Sequence, residues 1–430
     1  MRLSLRNREL LHLLAVGIVT GLGFTSVFVA RQAVISTASL SYVGFFFGLF
    51  LAAHVATRLA LPHADPYLLP VAALLTGIGL TRIYRVEPDL AFRQALWVVV
   101  GLGLYAACAL LLRDYRVLDG VKYLLGVSAV VLLVLPALPG LGTTINGASL
   151  WVRLGPIAFQ PGELAKLLIV VFLAGYLRDK RELLVSGLGR FGLPSPKHAG
   201  PLVVIWGGAM LVLFQTNDLG GGLLYFSVFL AMLYLATGRW PFVALGTLLF
   251  SAGAYGLYHV VPHVADRVTI WLDPWGDPYG DGYQLVQSIY AISGGGLFGA
   301  GLGRGVLLTP EGNPYIPYLQ TDFIYSGIAQ ELGLAGAAAV LLLYLVLLHR
   351  GFRIAMLADD GFSKLLAAGL TAALGLQAFI IVGGVTGLIP LTGITLPFVS
   401  YGGSSIVANC LALWLLLAVS DRVNRRAAGL

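Results

Sequence analysis

Asp322 stands in Gln320-Thr321-Asp322-Phe323-Ile324-Tyr325, at the entrance to a long apolar run. A carboxylate there can cap the helix by accepting a first-turn N–H, or act as general base toward a hydroxyl held nearby. Its place at a helix N-terminus favours the ionised form. Ser326 falls one turn on along the same face, whereas Glu331, nine residues on, points away and reads as structural. Asp218, in the turn Asn217-Asp218-Leu219-Gly220, either caps the next helix or joins the same site. Glu163 and Lys166 are three residues apart and share a helix face. They form a structural ion pair or line a polar cavity. Arg267 and Arg304 bracket Asp273, Asp277 and Asp281. Arginine suits bidentate phosphate binding, so these two are candidates for a diphosphate ligand; the alternative is solvated loop charge. The glycine run Gly294 to Gly303 lacks the Lys-Ser/Thr of a P-loop and does not follow a strand, which argues against a nucleotide site. There is no His-Glu-x-x-His, since the one His-x-x-x-His, His259 to His263, encloses Val-Val-Pro and no glutamate, and there is no Gly-x-Ser-x-Gly and no cysteine cluster. Zinc hydrolysis, serine esterase chemistry and ATP use have no support.

The elements that must position these residues are membrane helices. The chain has 430 residues, 58% hydrophobic and 11% charged, with a mean hydropathy of +0.87. That excludes a water-soluble globule. Apolar stretches of roughly 18 residues can cross the hydrocarbon core of a bilayer. Twelve are read here, near 10–29, 40–57, 66–81, 94–112, 123–138, 163–177, 200–215, 219–236, 241–261, 323–349, 365–383 and 396–419. The first is too long for an ordinary signal peptide and is read as retained. Glycine, at 55 residues, lets such helices approach closely. Cys108 and Cys410 both fall in spans and build no disulfide framework.

With an even number of spans, most of the 27 Lys and Arg residues gather on one side, among them Arg6, Arg8, Arg116, Lys122, Arg178, Arg350 and Arg425. The positive-inside rule makes that side cytoplasmic, with both termini there. It also accounts for the net charge of +7 without a nucleic acid. The opposite side carries one long connection, 262–321, rich in Gly, Pro and aromatics. Long ordered loops are commonly functional. Within it Leu285, Val286, Ile289 and Ile292 recur at helical spacing while Gln284, Gln287 and Ser288 face elsewhere, which suits a short interfacial helix. Trp151, in a second outer stretch at 139–162, reads as an interfacial anchor.

Phe159-Gln160-Pro161-Gly162-Glu163-Leu164-Ala165-Lys166, Asn217-Asp218-Leu219-Gly220, Leu272-Asp273-Pro274-Trp275, Thr321-Asp322-Phe323 with Glu331-Leu332-Gly333, and Leu396-Pro397-Phe398-Val399-Ser400-Tyr401-Gly402-Gly403-Ser404-Ser405 follow one another in this order. The succession resembles the FtsW/RodA/SpoVE (SEDS) family. The resemblance implies an all-α, polytopic transmembrane bundle with a ten-span core at 63–421, preceded by two additional N-terminal helices in 1–62 and followed by a cytoplasmic tail, 422–430. It implies a peptidoglycan glycosyltransferase that polymerises lipid II at the outer face of the bacterial cytoplasmic membrane, partnered by a class B penicillin-binding protein. Asp322 matches the family's essential Asp, and Glu163 and Lys166 its conserved pair. Pro317-Tyr318-Leu319-Gln320 departs from the family's common Pro-Glu-x-His, so neither that Glu nor that His is required here.

The mechanism expected is an inverting transfer. Asp322 deprotonates the acceptor's 4-hydroxyl as it attacks a diphosphate-linked donor, and Arg267, Arg304 or a divalent cation, Mg or Mn, neutralises the leaving group. Lys166, Asp218 and Ser326 are further candidates for contacting substrate. The rival readings are a lipid II flippase and a non-catalytic scaffold for the transpeptidase.

Overall fold

The computed structural model describes residues 4–32, 37–112, 114–145, 148–155, 157–185, 196–309 and 312–429. All twelve apolar stretches are helical. The chain runs α1 (Leu5–Gln32), α2 (Thr37–Ala60), α3 (Leu68–Val86) and α4 (Pro88–Leu111), then the single turn α5 (Val117–Gly120) and α6 (Lys122–Val134). Strands β1 (Gly142–Ile145), β2 (Ala148–Leu154) and β3 (Ile157–Phe159) lead into α7 (Pro161–Val185), α8 (Pro196–Gln215), α9 (Leu219–Thr237) and α10 (Trp240–Val260). Two helices of the long connection, α11 (Pro262–Leu272) and α12 (Tyr283–Gly294), precede α13 (Ile324–Leu357), α14 (Gly361–Val385) and α15 (Gly403–Ala427). Positions 310–311 of that connection lie outside the described residues.

Among the described residues, nine helices are long and apolar enough to cross a membrane: α1 to α4, α9, α10 and α13 to α15. Of the other three expected spans, α6 and α8 are short as apolar segments. α7 is long but charged at both ends. It is tolerated because α6, α9, α14 and α15 enclose it, and every residue from Ile169 to Leu177 except Gly175 belongs to the buried apolar core. α1 and α2 pack on α3 and α4 as integral parts of the bundle. Close approach has a direct signature at Gly79, where a Cβ would fall 2.8 Å from the Cα of Val399.

Three expectations change in detail. The bundle is all-α, but 142–159 adds a small antiparallel sheet of order β1-β2-β3, with Thr143 opposite Trp151 and Val152 opposite Phe159. Short, Thr-rich strands outside the apolar runs left no helical or long alternating pattern. The last span starts at Gly403, not near 396, because the residues before it form an irregular loop with Phe398 at φ +65°. The tenth is broken at Gly333 (φ +67°, ψ −169°). Its portion 334–357 is about 36 Å long and spans a bilayer alone. The glycine run explains the break. The chain at 296–301 inserts there, with Leu334 N–H donating to Gly296 O (2.9 Å) and Gly301 N–H to Glu331 O (3.0 Å). Gly299, at φ +79°, lies against the Gly333 backbone and leaves no room for a Cβ.

Candidate active site

The N-termini of α7, α9, α13 and α15 meet at one end of the bundle, held by contacts between their leading loops. Gln160 N–H donates to Ser404 Oγ (2.8 Å), joining α7 to α15. Tyr401 N–H donates to Gln320 O (2.9 Å), and Ser400 Oγ donates to Thr321 O, joining the loop before α15 to the loop before α13. Tyr225 on α9 donates to Gly162 O (2.7 Å). The small sheet contributes as well, since Ser149 N–H donates to Thr216 O (3.1 Å) just before Asp218. The Leu396 to Ser405 segment is therefore the frame against which the Asp322 loop is set. Backbone strain collects at this end. The three non-glycine residues at positive φ among those described are Asn217, Tyr318 and Phe398. Such strain persists where surrounding contacts over-determine it. Tyr318 O accepts from the N–H of Thr321 (3.0 Å) and of Asp322 (3.1 Å).

Asp322 is half-buried in the recess so formed. The N-cap of α13 is Phe323 and has no side-chain cap, so Asp322 does not take the capping role. A Cβ on Gly393 would lie 3.7 Å from its Oδ2, which places the 386–395 loop beside the carboxylate. Burial raises its pKa to about 6, opposed by a hydrogen bond with Thr321 and by the charge of Arg267. The helix N-terminus was expected to keep the group strongly acidic; loss of water outweighs it.

Arg267 projects from α11, whose placement is set by two bonds to the same loop. Arg267 Nη1 donates to Leu391 O (3.0 Å) and Thr392 O (3.3 Å), and Trp271 Nε1 to Gly387 O (2.9 Å). Its charge acts on both Asp322 and Asp218, although burial lowers its own pKa. Asp218 caps α9, accepting from Gly221 N–H (2.7 Å). Burial raises it to about 6, Gly221 N–H opposes the rise, Glu163 adds to it, and Arg267 opposes it. Asp218 therefore fills both of its expected roles, cap and neighbour of the site.

The remaining candidates separate. Lys166 is 4% exposed, and its Nζ binds Glu163 Oε2 (2.8 Å) and Gln377 Oε1 (2.6 Å). Gln377 continues to Thr395 O (2.8 Å), and Thr395 to Ser405 (2.8 Å). Glu163 and Lys166 thus form the structural pair, and the ammonium lies beneath the site rather than open to substrate. Ser326 is fully buried, with its Oγ 2.7 Å from Ser288 Oγ. It ties α13 to α12 and does not face the recess. Ser288 is itself buried and also donates to Val385 O (2.7 Å), so α12 packs into the bundle instead of lying in the interface. Arg304 is exposed and lies elsewhere. Its neighbours Gly303 and Gly305 pack on Glu331, which Arg82 and the Gly303 N–H (2.8 Å) bind. Glu331 is structural, as expected. Among the described residues no three His, Cys, Asp or Glu side chains converge as a metal site, and Arg267 supplies the positive charge next to the two aspartates.

Two groups were not foreseen. Gln320 Oε1 and Thr392 Oγ1 are buried without a hydrogen-bond partner among the described residues, one on each loop flanking Asp322. Gln320 Oε1 can accept from a polar ligand, and Thr392 Oγ1 can accept or donate. The 384–395 loop is punctuated by Gly387, Pro390 and Gly393, a turn signal that marked a loop without saying where it folds.

A polytopic helical membrane protein with a polar recess at one end of its bundle is the class that fold and site define. Residues 68–425 match the model of the FtsW/RodA/SpoVE cell cycle protein family, and the chain belongs to that family. It is 41% identical to the peptidoglycan glycosyltransferase RodA of Mycobacterium tuberculosis, over 98% of this chain and 91% of that one. It is 37% identical to the stage V sporulation protein E of Bacillus subtilis, over 83% and 96%. Among solved structures, a chain of a peptidoglycan synthase complex superposes with a TM-score of 0.69 at 28% identity, covering 84% of this chain and 98% of that one. The rod shape determining protein RodA of Thermus thermophilus gives 0.60 at 27%, covering 84% and 97%.

Proposed function

We propose that this protein is a peptidoglycan glycosyltransferase that polymerises lipid II at the outer face of the bacterial cytoplasmic membrane. One observation carries the reading: a half-buried carboxylate without an ion-pair partner among the described residues, its pKa raised to about 6, beside Arg267 where four helix N-termini meet. A base with a pKa near the working pH combines the deprotonated form with a useful proton affinity. Asp322 removes the proton from the 4-hydroxyl of the acceptor sugar as that oxygen bonds to the donor's anomeric carbon. The bond to the diphosphate breaks, the electron pair leaves with it, and the configuration inverts. The departing charge is stabilised by Arg267 and the helix N-termini. Gln320 Oε1 accepts from a sugar hydroxyl, and the Thr392 hydroxyl donates to a sugar or diphosphate oxygen.

The orientation rests on the basic residues gathered at the end opposite the site, which the positive-inside rule assigns to the cytoplasm together with both termini. The first two helices are an addition to a ten-span core, in keeping with the family match that begins at residue 68. Similarity to a chain of a peptidoglycan synthase complex supports a class B penicillin-binding protein as partner. The flippase reading draws on Glu163 and Lys166, which are paired, with Lys166 buried and Glu163 partly so. Purified protein given lipid II in detergent decides between them. Glycan polymer is expected; none, with or without the transpeptidase and across divalent metals, would overturn the reading.

A further inference from the structure

We propose that an anionic diacyl phospholipid occupies a groove between the first two helices and the core, with one acyl chain in the groove and its phosphate on Arg31, Arg85 and Arg304. The groove is walled by Phe24 of α1, Phe46 of α2, Leu80 and Tyr84 of α3, and Phe92 and Ala95 of α4. It extends along α4 from Pro88 to Val98. That is about 15 Å at the helical rise, the depth of one leaflet of a hydrocarbon core about 30 Å thick. Its side opens to the bilayer, where Phe45 and Phe92 are 49% and 54% exposed. The threonine hydroxyls in its wall are already satisfied, Thr20 by Val16 O (2.7 Å) and Thr81 by Gly77 O (2.8 Å), and the other hydroxyls there are the phenols of Tyr42 and Tyr84. The lining is otherwise apolar and suits a hydrocarbon chain better than a sugar or peptide.

The mouth has the opposite character. Arg31 lies over the Tyr84 ring (5.9 Å) and donates to Tyr84 O (2.8 Å). Arg85 donates to Gly305 O (3.4 Å). Gly303 sits on the last turns of α1, where a Cβ would fall 2.5 Å from that of Ala30. Arg304, between those two glycines, is thereby brought beside Arg31 and Arg85. Among the described residues, the buried carboxylate here is Glu331, bound by Arg82, by the Gly303 N–H and by Arg85 Nε (3.4 Å), whereas Arg31 and Arg304 have no ion-pair partner. Glu87 and Asp89 are exposed at the start of α4, and the charge of Glu87 acts on Tyr401, as does that of Arg93. Positive charge remains at the mouth for a headgroup phosphate.

The occupant is not the substrate's polyprenyl chain. The Arg82–Glu331 cluster is nine residues along α13 from Asp322, about 13 Å of helix, so a headgroup held there is out of place for transfer. Nor does the family-matched segment, 68–425, build the groove alone, since two of its four walls are α1 and α2.

The test reconstitutes the full chain with phosphatidylglycerol, phosphatidylcholine or undecaprenyl phosphate and counts retained lipid by native mass spectrometry. Wild type should retain phosphatidylglycerol over phosphatidylcholine by about tenfold. The double variant Arg31→Ala/Arg304→Ala should lose that preference with its unfolding midpoint unchanged, and Ala95→Phe, which fills the groove, should lose retention of both phospholipids. Should Ala95→Phe not fold, the arginine variant decides alone. Equal retention of the two phospholipids by wild type, an undiminished preference in the arginine variant, or displacement of phosphatidylglycerol by equimolar undecaprenyl phosphate would overturn the proposal.

Discussion

The two ends of the bundle treat charge differently. At the end bearing the termini, Asp65 is bound by Arg350, which stacks over Tyr67 (4.8 Å). Asp421 accepts from His63 N–H (2.7 Å) and pairs with Arg425 (2.9 Å). Lys122 and Arg178 share Asp119 and Asp179. Glu9, fully buried, is held by Arg6 and His54, each at 2.6 Å. At the loop end, Asp322, Asp218 and Arg267 influence one another, yet none forms an ion pair among the described residues. Charges that hold helices together are paired. Those that meet a ligand are left incompletely satisfied, at a cost in stability that burial makes visible in two carboxyls near pKa 6.

This contrast can be broken by variants whose effects on stability and activity should separate. The largest effect is expected for Asp322→Asn. Loss of the base should lower lipid II polymerisation by roughly 100- to 10,000-fold. Stability should change in the opposite sense. A carboxyl whose folded pKa is raised binds its proton more tightly folded than unfolded, so its ionised form costs stability above about pH 6; removing the charge should gain about 2 kcal/mol near neutral pH. A lower unfolding midpoint for Asp322→Asn would contradict this. Arg267→Ala should reduce polymerisation by roughly 100-fold or more, and the midpoint of its pH profile should move upward because the charge that lowers the Asp322 pKa is gone. At the other end, Arg350→Ala strands Asp65 and should cost about 3 kcal/mol of stability, read as a lower unfolding midpoint, while activity per folded molecule stays at wild type. The smallest effect is expected for Asp218→Asn, which keeps the cap and should change polymerisation by less than tenfold.

Much of the bundle is legible in sequence because membrane helices announce themselves as apolar runs. α7 was read despite its charges because the apolar stretch between them is long, though only packing shows why they are tolerated. Asp322, Asp218 and the Glu163–Lys166 pair stand out because ionisable residues are scarce. Arg267 and Arg304 were indistinguishable in the loop. What separates them is where the chain folds: α11 is anchored to the 386–395 loop by Trp271, while the glycine segment carries Arg304 to the break in α13 and the end of α1. Ser326 lies away from the recess for a related reason. Helical spacing sets it one turn from Asp322 but does not reveal that α12 covers that face. Gln320 and Thr392 matter through the absence of partners, a property only three-dimensional structure supplies.

The most direct test of the central claim is the pH dependence of lipid II polymerisation by the purified protein. With Asp322 acting as base at a pKa of about 6, the rate should be level above that pH and fall about tenfold per unit below it, and the residual activity of Asp322→Asn should lack this dependence. A wild-type rate that is flat from pH 5 to pH 8, or an Asp322→Asn profile with the same inflection, would contradict the assignment.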